Sequence, residues 1–313
     1  SRVADINPGP AESNPHGFVP VGSSVAFIAE EGAHGRELWF TGGTGATTAL
    51  VKDINTNTRD FNAGSFLNEA VNGFIYFFAH DHGDSLSAFE LWRTDGTTTT
   101  RVKAFGTPSY HPRGEYPGNL TNVNGILYFT ANDGTYGNEL WRSDGTEHGT
   151  YMVQDIYHGT TGSNPSKLTN VNGTLFFAAN DGFNGCELWK SDGTATGTAL
   201  VKNINQRPLI VLPPPPGTPP PPDTDTATTW GAFDNNISKF VNMSGSLYFV
   251  AYDGHHGYEL WKSDGTPANT QLVKDIDPSF SPDNPINRRV DILGVAGGLV
   301  YLQANDGSHG SEL

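Results

Sequence analysis

Three histidines occupy one position of a recurring loop. The loop reads Asp-Gly-x-x-Gly at residues 133–137, 181–185, 253–257 and 306–310, with 31–35 as a variant that begins at Glu31. Its fourth position holds His34, Tyr136, Asn184, His256 and His309, and His80 and His82 add two imidazoles nearby in sequence. Clustered imidazoles are transition-metal ligands. Equivalent atoms of packed neighbouring sheets lie on the order of 10 Å apart, too far to share one ion. His34, His256 and His309 are therefore weak metal candidates, and no metal or cofactor is expected. Each is expected to brace its own loop against the glutamate three residues on, as His34 to Glu37 and His256 to Glu259. No nucleophile, base and orienting group stand out together, so no enzymatic activity is expected.

Other residue types suggest contact rather than chemistry. Tyr110, Tyr116, Tyr157, Phe183, Trp230 and Phe280 fall outside the repeat register and are candidates for ligand or partner contact. Asn119, Asn172, Asn236 and Asn242 begin Asn-x-Ser/Thr triplets, which are glycan acceptors if the protein is secreted. The single cysteine, Cys186, excludes an internal disulfide framework. It fills a slot that holds Arg36, Phe89, Asn138, Tyr258 and Ser311 elsewhere, so it reads as an inert, partly buried thiol.

A repeat must position these loops. Glu-Leu-Trp recurs at 37–39, 90–92, 139–141, 187–189 and 259–261, and Glu312-Leu313 begins a sixth copy; the intervals are 53, 49, 48, 72 and 53 residues. A period near 50 is that of a four-stranded propeller blade. The third copy runs from Asn119 to Ile156 as four short β-branched and aromatic stretches separated by Gly, Asn and Asp. Asn72-Gly73, Asn124-Gly125, Asn172-Gly173 and Ser244-Gly245 mark tight hairpins, since these residues tolerate positive φ. Asp95, Asp144, Asp192 and Asp264 open Asp-Gly-Thr phrases that read as turn locks, and Gly42-Gly43-Thr44 keeps the turn without the acid. The repeat tryptophans read as buried anchors. The expected fold is all-β: a six-bladed β-propeller of four antiparallel strands per blade. Residues 1–6 resemble a fourth strand and are expected to close the last blade, begun at Asn287. Residues 1–313 form one domain in this reading, with 205–235 as a Pro/Thr-rich insertion between blades, and the polypeptide is expected to continue past Leu313.

The net charge is −15, but 19 of the 33 acids belong to the repeat phrases, so the fold accounts for most of it. No basic stripe is present, which argues against nucleic acid, and no apolar run is long enough for membrane insertion. Within the insertion lie Pro213, Pro214, Pro215, Pro216, Pro219, Pro220, Pro221 and Pro222. Such a run adopts polyproline II. It reads as a ligand for aromatic-lined grooves, a substrate for proline hydroxylation and O-glycosylation, a stiff spacer or a tolerated surface insertion. The carbonyls of this run have no sheet partner, so the block is expected to be exposed.

The phrase Glu-Leu-Trp-x-x-Asp-Gly-Thr, followed by Gly-Thr and then Leu-Val-Lys-Asp-Ile, resembles the ELWxxDGT repeat family over nearly the whole chain outside 205–235. The proline block resembles hydroxyproline-rich stretches of green-algal surface glycoproteins, including mastigoneme proteins. The resemblance implies an extracellular or cell-surface location. It also implies a non-enzymatic structural or interaction module of a filament, flagellar hair or wall, whose partners are other protein subunits of the assembly, glycans or both. Two alternatives stand beside it: a lectin-like glycan-binding propeller, and a hydrolase or lyase with its site at the central mouth.

Overall fold

A computed structural model describes residues 2–54, 70–79, 89–105, 117–205, 239–278 and 290–313. The chain divides into two compact units, residues 1–155 with 159–164, and 156–158 with 165–313. The first unit holds three antiparallel sheets. The first sheet is His16–Val21, Ser24–Glu31, Gly35–Thr41 and Ala49–Leu50; the second is Ile75–Ala79, Glu90–Thr94 and Thr99–Ala104; the third is Gly118–Val123, Ile126–Asn132, Asn138–Ser143 and Tyr151–Gln154. The second unit also holds three. The fourth sheet is Ser166–Val171, Thr174–Asn180, Cys186–Ser191 and Ala199–Lys202; the fifth is Val241–Met243, Ser246–Tyr252, Tyr258–Ser263 and Gln271–Lys274; the sixth is Asp291–Ala296, Leu299–Asn305 and Ser311–Glu312. Strands follow one another as meanders, and no α-helix occurs among the described residues. The fold is all-β and propeller-like.

Ser24–Glu31, Ile75–Ala79, Ile126–Asn132, Thr174–Asn180 and Ser246–Tyr252 are apolar in their middles and buried there on both faces. Leu127, Phe129, Leu175, Phe177, Leu247 and Phe249 are all fully buried, at 0 % exposure. Burying each such side chain contributes about 1.5–3 kcal/mol. In the second unit one cluster joins Val171, Phe176, Leu188, Phe249, Trp261 and Ile292, so three successive sheets share a core. In the first unit Tyr76, Phe78, Phe105, Phe129 and Trp141 form the aromatic centre of a cluster between the second and third sheets. Trp39, Trp92, Trp141, Trp189 and Trp261 are all buried, at 5–8 %.

Local chemistry sets the turns. Asn72, Asn124, Asn172 and Ser244 have φ of 50–53°, and the glycine after each has φ of 81–85°; two consecutive left-handed residues make the hairpin turn that suits twisted strands. A register shift separates the Leu and Trp of Leu140-Trp141, Leu188-Trp189 and Leu260-Trp261 against the fourth strand. A bulge at this step re-aims the tryptophan into the core. Asp144 accepts from the amide and hydroxyl of Thr146 at 2.8 and 2.7 Å, and Asp264 repeats this with Thr266 at 2.9 and 2.7 Å. These bonds favour the ionised form, and the Thr146 and Thr266 hydroxyls hold both carboxyls below their usual range. The glycine between them faces the preceding sheet: a Cβ on Gly265 would stand 2.9 Å from the Phe176 ring.

One expectation about strands is corrected. Residues 2–15 form no strand, and the sixth sheet has three strands, so the described chain shows no strand from residues 1–6 in the last sheet. Ile6, half-buried, instead packs against the Phe27, Ala29 and Trp39 cluster of the first sheet. Among the described residues the second sheet has three strands, with the bridge Val71–Phe74 ahead of them.

Candidate functional site: the acid–histidine loops

The loop between second and third strands is built by its leading acid. Asp253 Oδ1 accepts the amides of His255 and His256 at 2.8 and 2.9 Å, and Asp306 Oδ1 accepts those of Ser308 and His309 at 2.8 and 2.9 Å. Asp133 and Asp181 hold the same pairs of amides in the third and fourth sheets. This is the Asx turn, with the carboxylate replacing a backbone acceptor.

The other carboxylate oxygen captures the histidine. His256 Nδ1 lies 2.7 Å from Asp253 Oδ2, His309 Nδ1 lies 2.8 Å from Asp306 Oδ2, and His34 Nδ1 bonds Glu31. Each histidine is thus held by the acid three residues before it, which corrects the expected pairing with Glu37 and Glu259. The third-strand glutamates point inward instead. Glu259 is 1 % exposed, and its two oxygens accept the amides of Ile276 and Asp277 at 3.0 and 3.2 Å. Glu187 does the same for Ile204 and Asn205 at 3.0 and 3.2 Å, while Glu139 holds the amide and hydroxyl of Ser163. These glutamates clip the segment leaving each sheet.

The electrostatics follow from these contacts. The hydrogen bonds to Glu31, Asp253 and Asp306 raise His34, His256 and His309 respectively. Burial works against the charge of Asp253, yet the bond from His256 and the two backbone amides outweigh it and hold this carboxyl low. Burial pushes Glu259 up to about 7, against its two backbone bonds, with the charges of Asp275 and Asp277 adding to the rise. Among the described residues no three His, Cys, Asp or Glu side chains converge as a metal site.

The remaining candidates are scattered. Phe183 is 76 % exposed at the tip of the fourth sheet's loop, and the Tyr157 ring lies against Gly182 beside it, 2.9 Å from where a Cβ would stand. Asn119, Asn172 and Asn242 have exposed residues but engaged amides. Asn119 Nδ2 donates to Thr130 at 3.2 Å, Asn242 Nδ2 donates to the Asn170 carbonyl at 3.2 Å, and Asn172 Nδ2 packs on Gly245. A glycan at any of them would displace that contact. Cys186 is half-buried and packs at the edge of the second unit's core. Tyr110, Tyr116, Trp230, Phe280, Asn236, His80, His82 and Pro213 through Pro222 lie outside the described residues.

No family model matches the chain, and no curated protein matches it. Solved structures do resemble it. A puromycin hydrolase S511A mutant complexed with PGG aligns at TM-score 0.45 and 14 % identity, over 96 % of this chain and 43 % of that one. A prolyl endopeptidase aligns at 0.47 and 10 %, over 97 % and 40 %. A puromycin-hydrolyzing peptidase of Mycobacterium tuberculosis aligns at 0.43 and 9 %, over 96 % and 44 %. The chain thus spans less than half of each of these proteins. These solved structures are hydrolytic enzymes, against the expectations of a non-enzymatic structural module and of no enzymatic activity, and the likeness is one of fold.

Proposed function

We propose that this chain is the propeller portion of a hydrolase, that its six sheets close as blades of one ring, and that the acid–histidine loops face the substrate. The Asp306–His309 pair is the observation that carries the reading. Its Nδ1 is held at 2.8 Å, and the histidine side chain is 76 % exposed. An imidazole fixed through one nitrogen by a carboxylate offers the other as a general base. His309 then takes a proton from water, or from a hydroxyl supplied by another part of the protein, as that oxygen attacks an acyl carbon. Asp306 orients the ring and balances the imidazolium that forms.

Peptide amides are the first substrate class to test. The experiment is a panel of chromogenic peptide substrates with the native protein and with His309→Gln. The expected result is turnover that falls roughly 10²–10⁴-fold in the variant, the range for a lost general base. Equal turnover in both proteins reduces the pair to a loop brace and ends the reading. An extracellular setting belongs to the same proposal, supported by the resemblance of the repeat; fractionation of native material tests it.

A further inference from the structure

The fourth and fifth sheets carry the same frame in two chemistries. Each places a glutamate clip, a loop acid, a fourth-position loop residue and two residues flanking an isoleucine at equal spacing. In the fourth sheet these are Glu187, Asp181, Asn184, Asn203 and Asn205; in the fifth they are Glu259, Asp253, His256, Asp275 and Asp277. The clip distances are the same in both, 3.0 and 3.2 Å. In the fourth sheet the Asn184 amide is a bridge: its Nδ2 donates to Asp181 at 2.7 Å, and its Oδ1 accepts from Asn203 Nδ2 at 2.7 Å. That bridge has no titrating member between the loop and the fourth strand.

The fifth sheet replaces the bridge with ionisable groups. His256 reaches Asp253 through Nδ1 at 2.7 Å, as Asn184 reaches Asp181. Asp275 stands where Asn203 donates, but a carboxylate only accepts. Asp275 Oδ1 is buried and has no hydrogen-bond partner. A neutral imidazole has one N–H, and an imidazolium has two. Only the protonated ring can satisfy Asp253 and Asp275 together.

We propose that this end of the fifth sheet is a pH-operated lock, closed when the His256 imidazolium bridges Asp253 and Asp275. Besides these two acids, Glu259 acts on His256 and the His255 ring centroid is 6.5 Å away, while buried Asp277 acts on Glu259. When His256 loses its proton, Asp275 and Glu259 lose a cation that screens them. The buried Oδ1 of Asp275 is then left without a donor, and the clip on Ile276 and Asp277 carries the strain. The fourth sheet, with asparagines at the three corresponding positions, lacks this histidine-operated switch.

Both shifts run the same way. His256 is raised above 6.5, so its contribution is present below that value and lost as pH climbs through the folded-state pKa. Glu259 moves from 4.5 to about 7, so the folded state holds a proton the unfolded chain has released, and stability falls over that interval as pH rises.

Amide hydrogen exchange tests the lock, and its readout is separate from turnover, so it stands or falls apart from the hydrolase reading. The protein is followed at about pH 5.5 and about pH 8, with intrinsic rates corrected. Protection of the Ile276 and Asp277 amides is expected to fall about tenfold at the higher pH, while that of Ile204 and Asn205 holds. The triple variant H256N/D275N/D277N, which installs the fourth sheet's residues, should remove the difference. An NMR titration of the His256 ring should show its pKa falling toward 6.5 in Asp275→Asn. Equal behaviour of the two sheets in the native protein, or an unchanged His256 titration in Asp275→Asn, overturns the proposal.

Discussion

At the residue scale the buried glutamates are the strongest single commitments in the chain. Glu187 is fully buried, at 0 %, and its carboxylate is the acceptor for two backbone amides. Removing it orphans both donors in a dry interior. Glu187→Ala is expected to destabilise the protein by about 2–4 kcal/mol in urea unfolding, the range for charge-assisted bonds whose buried partners are left unmet. Glu187→Gln keeps one acceptor oxygen and should cost less. The type of residue was legible from the repeat, but its direction was not. Spacing placed each histidine three residues from two acids, and only the backbone decided between them. Asp253 stands in the turn with both oxygens aimed at the loop, whereas Glu259 sits on a strand where alternate side chains face opposite ways.

At the element scale the Asp-Gly-Thr turns explain why glycine recurs in that phrase. Gly265 has φ +91°, and a Cβ there would meet the Phe176 ring at 2.9 Å; Gly43 has the same φ with nothing within 4 Å. Gly265→Ala combines left-handed strain with overpacking, and Gly43→Ala has the strain alone. The first should lower stability by about 2–4 kcal/mol and the second by about 1–2 kcal/mol. Denaturant midpoints of the two variants, measured side by side, check the ordering. The hairpins and third strands were readable because Asn-Gly and Glu-Leu-Trp encode them locally. The strand expected at residues 1–6 was not. Val3-Ala4-Asp5-Ile6 matches the fourth-strand phrase, yet Ile6 packs, half-buried, against the Phe27, Ala29 and Trp39 cluster. Tertiary packing overrides a four-residue pattern, because so short a ladder adds few bonds.

At the scale of the whole molecule the repeat both reveals and conceals. It accounts for the acidic charge and the tryptophans, and it made every recurring acid look like turn chemistry. The acid–histidine pairs hid inside that repetition: Asp133 and Asp181 form the same turn without a histidine. A sequence signal did exist, in the histidines at the fourth loop position. The charged form of the fifth sheet also sets a property of the entire fold. With His256 and Glu259 both raised, native stability should decline as pH rises from about 5 to about 8. Thermal unfolding across that range checks this, and H256N/D275N/D277N should flatten the curve.

The central claim is that an acid-held histidine on these loops does hydrolytic work. The direct measurement is the pH dependence of kcat/KM for peptide substrates, with native protein and His309→Gln compared. The native profile should rise through an apparent pKa above 6.5, because the hydrogen bond His309 donates to Asp306 raises His309 and the base acts when neutral. The variant should lose both the rise and most of the rate. A rate that is unchanged in His309→Gln, or no turnover by the native protein on any substrate of the panel, would contradict the account.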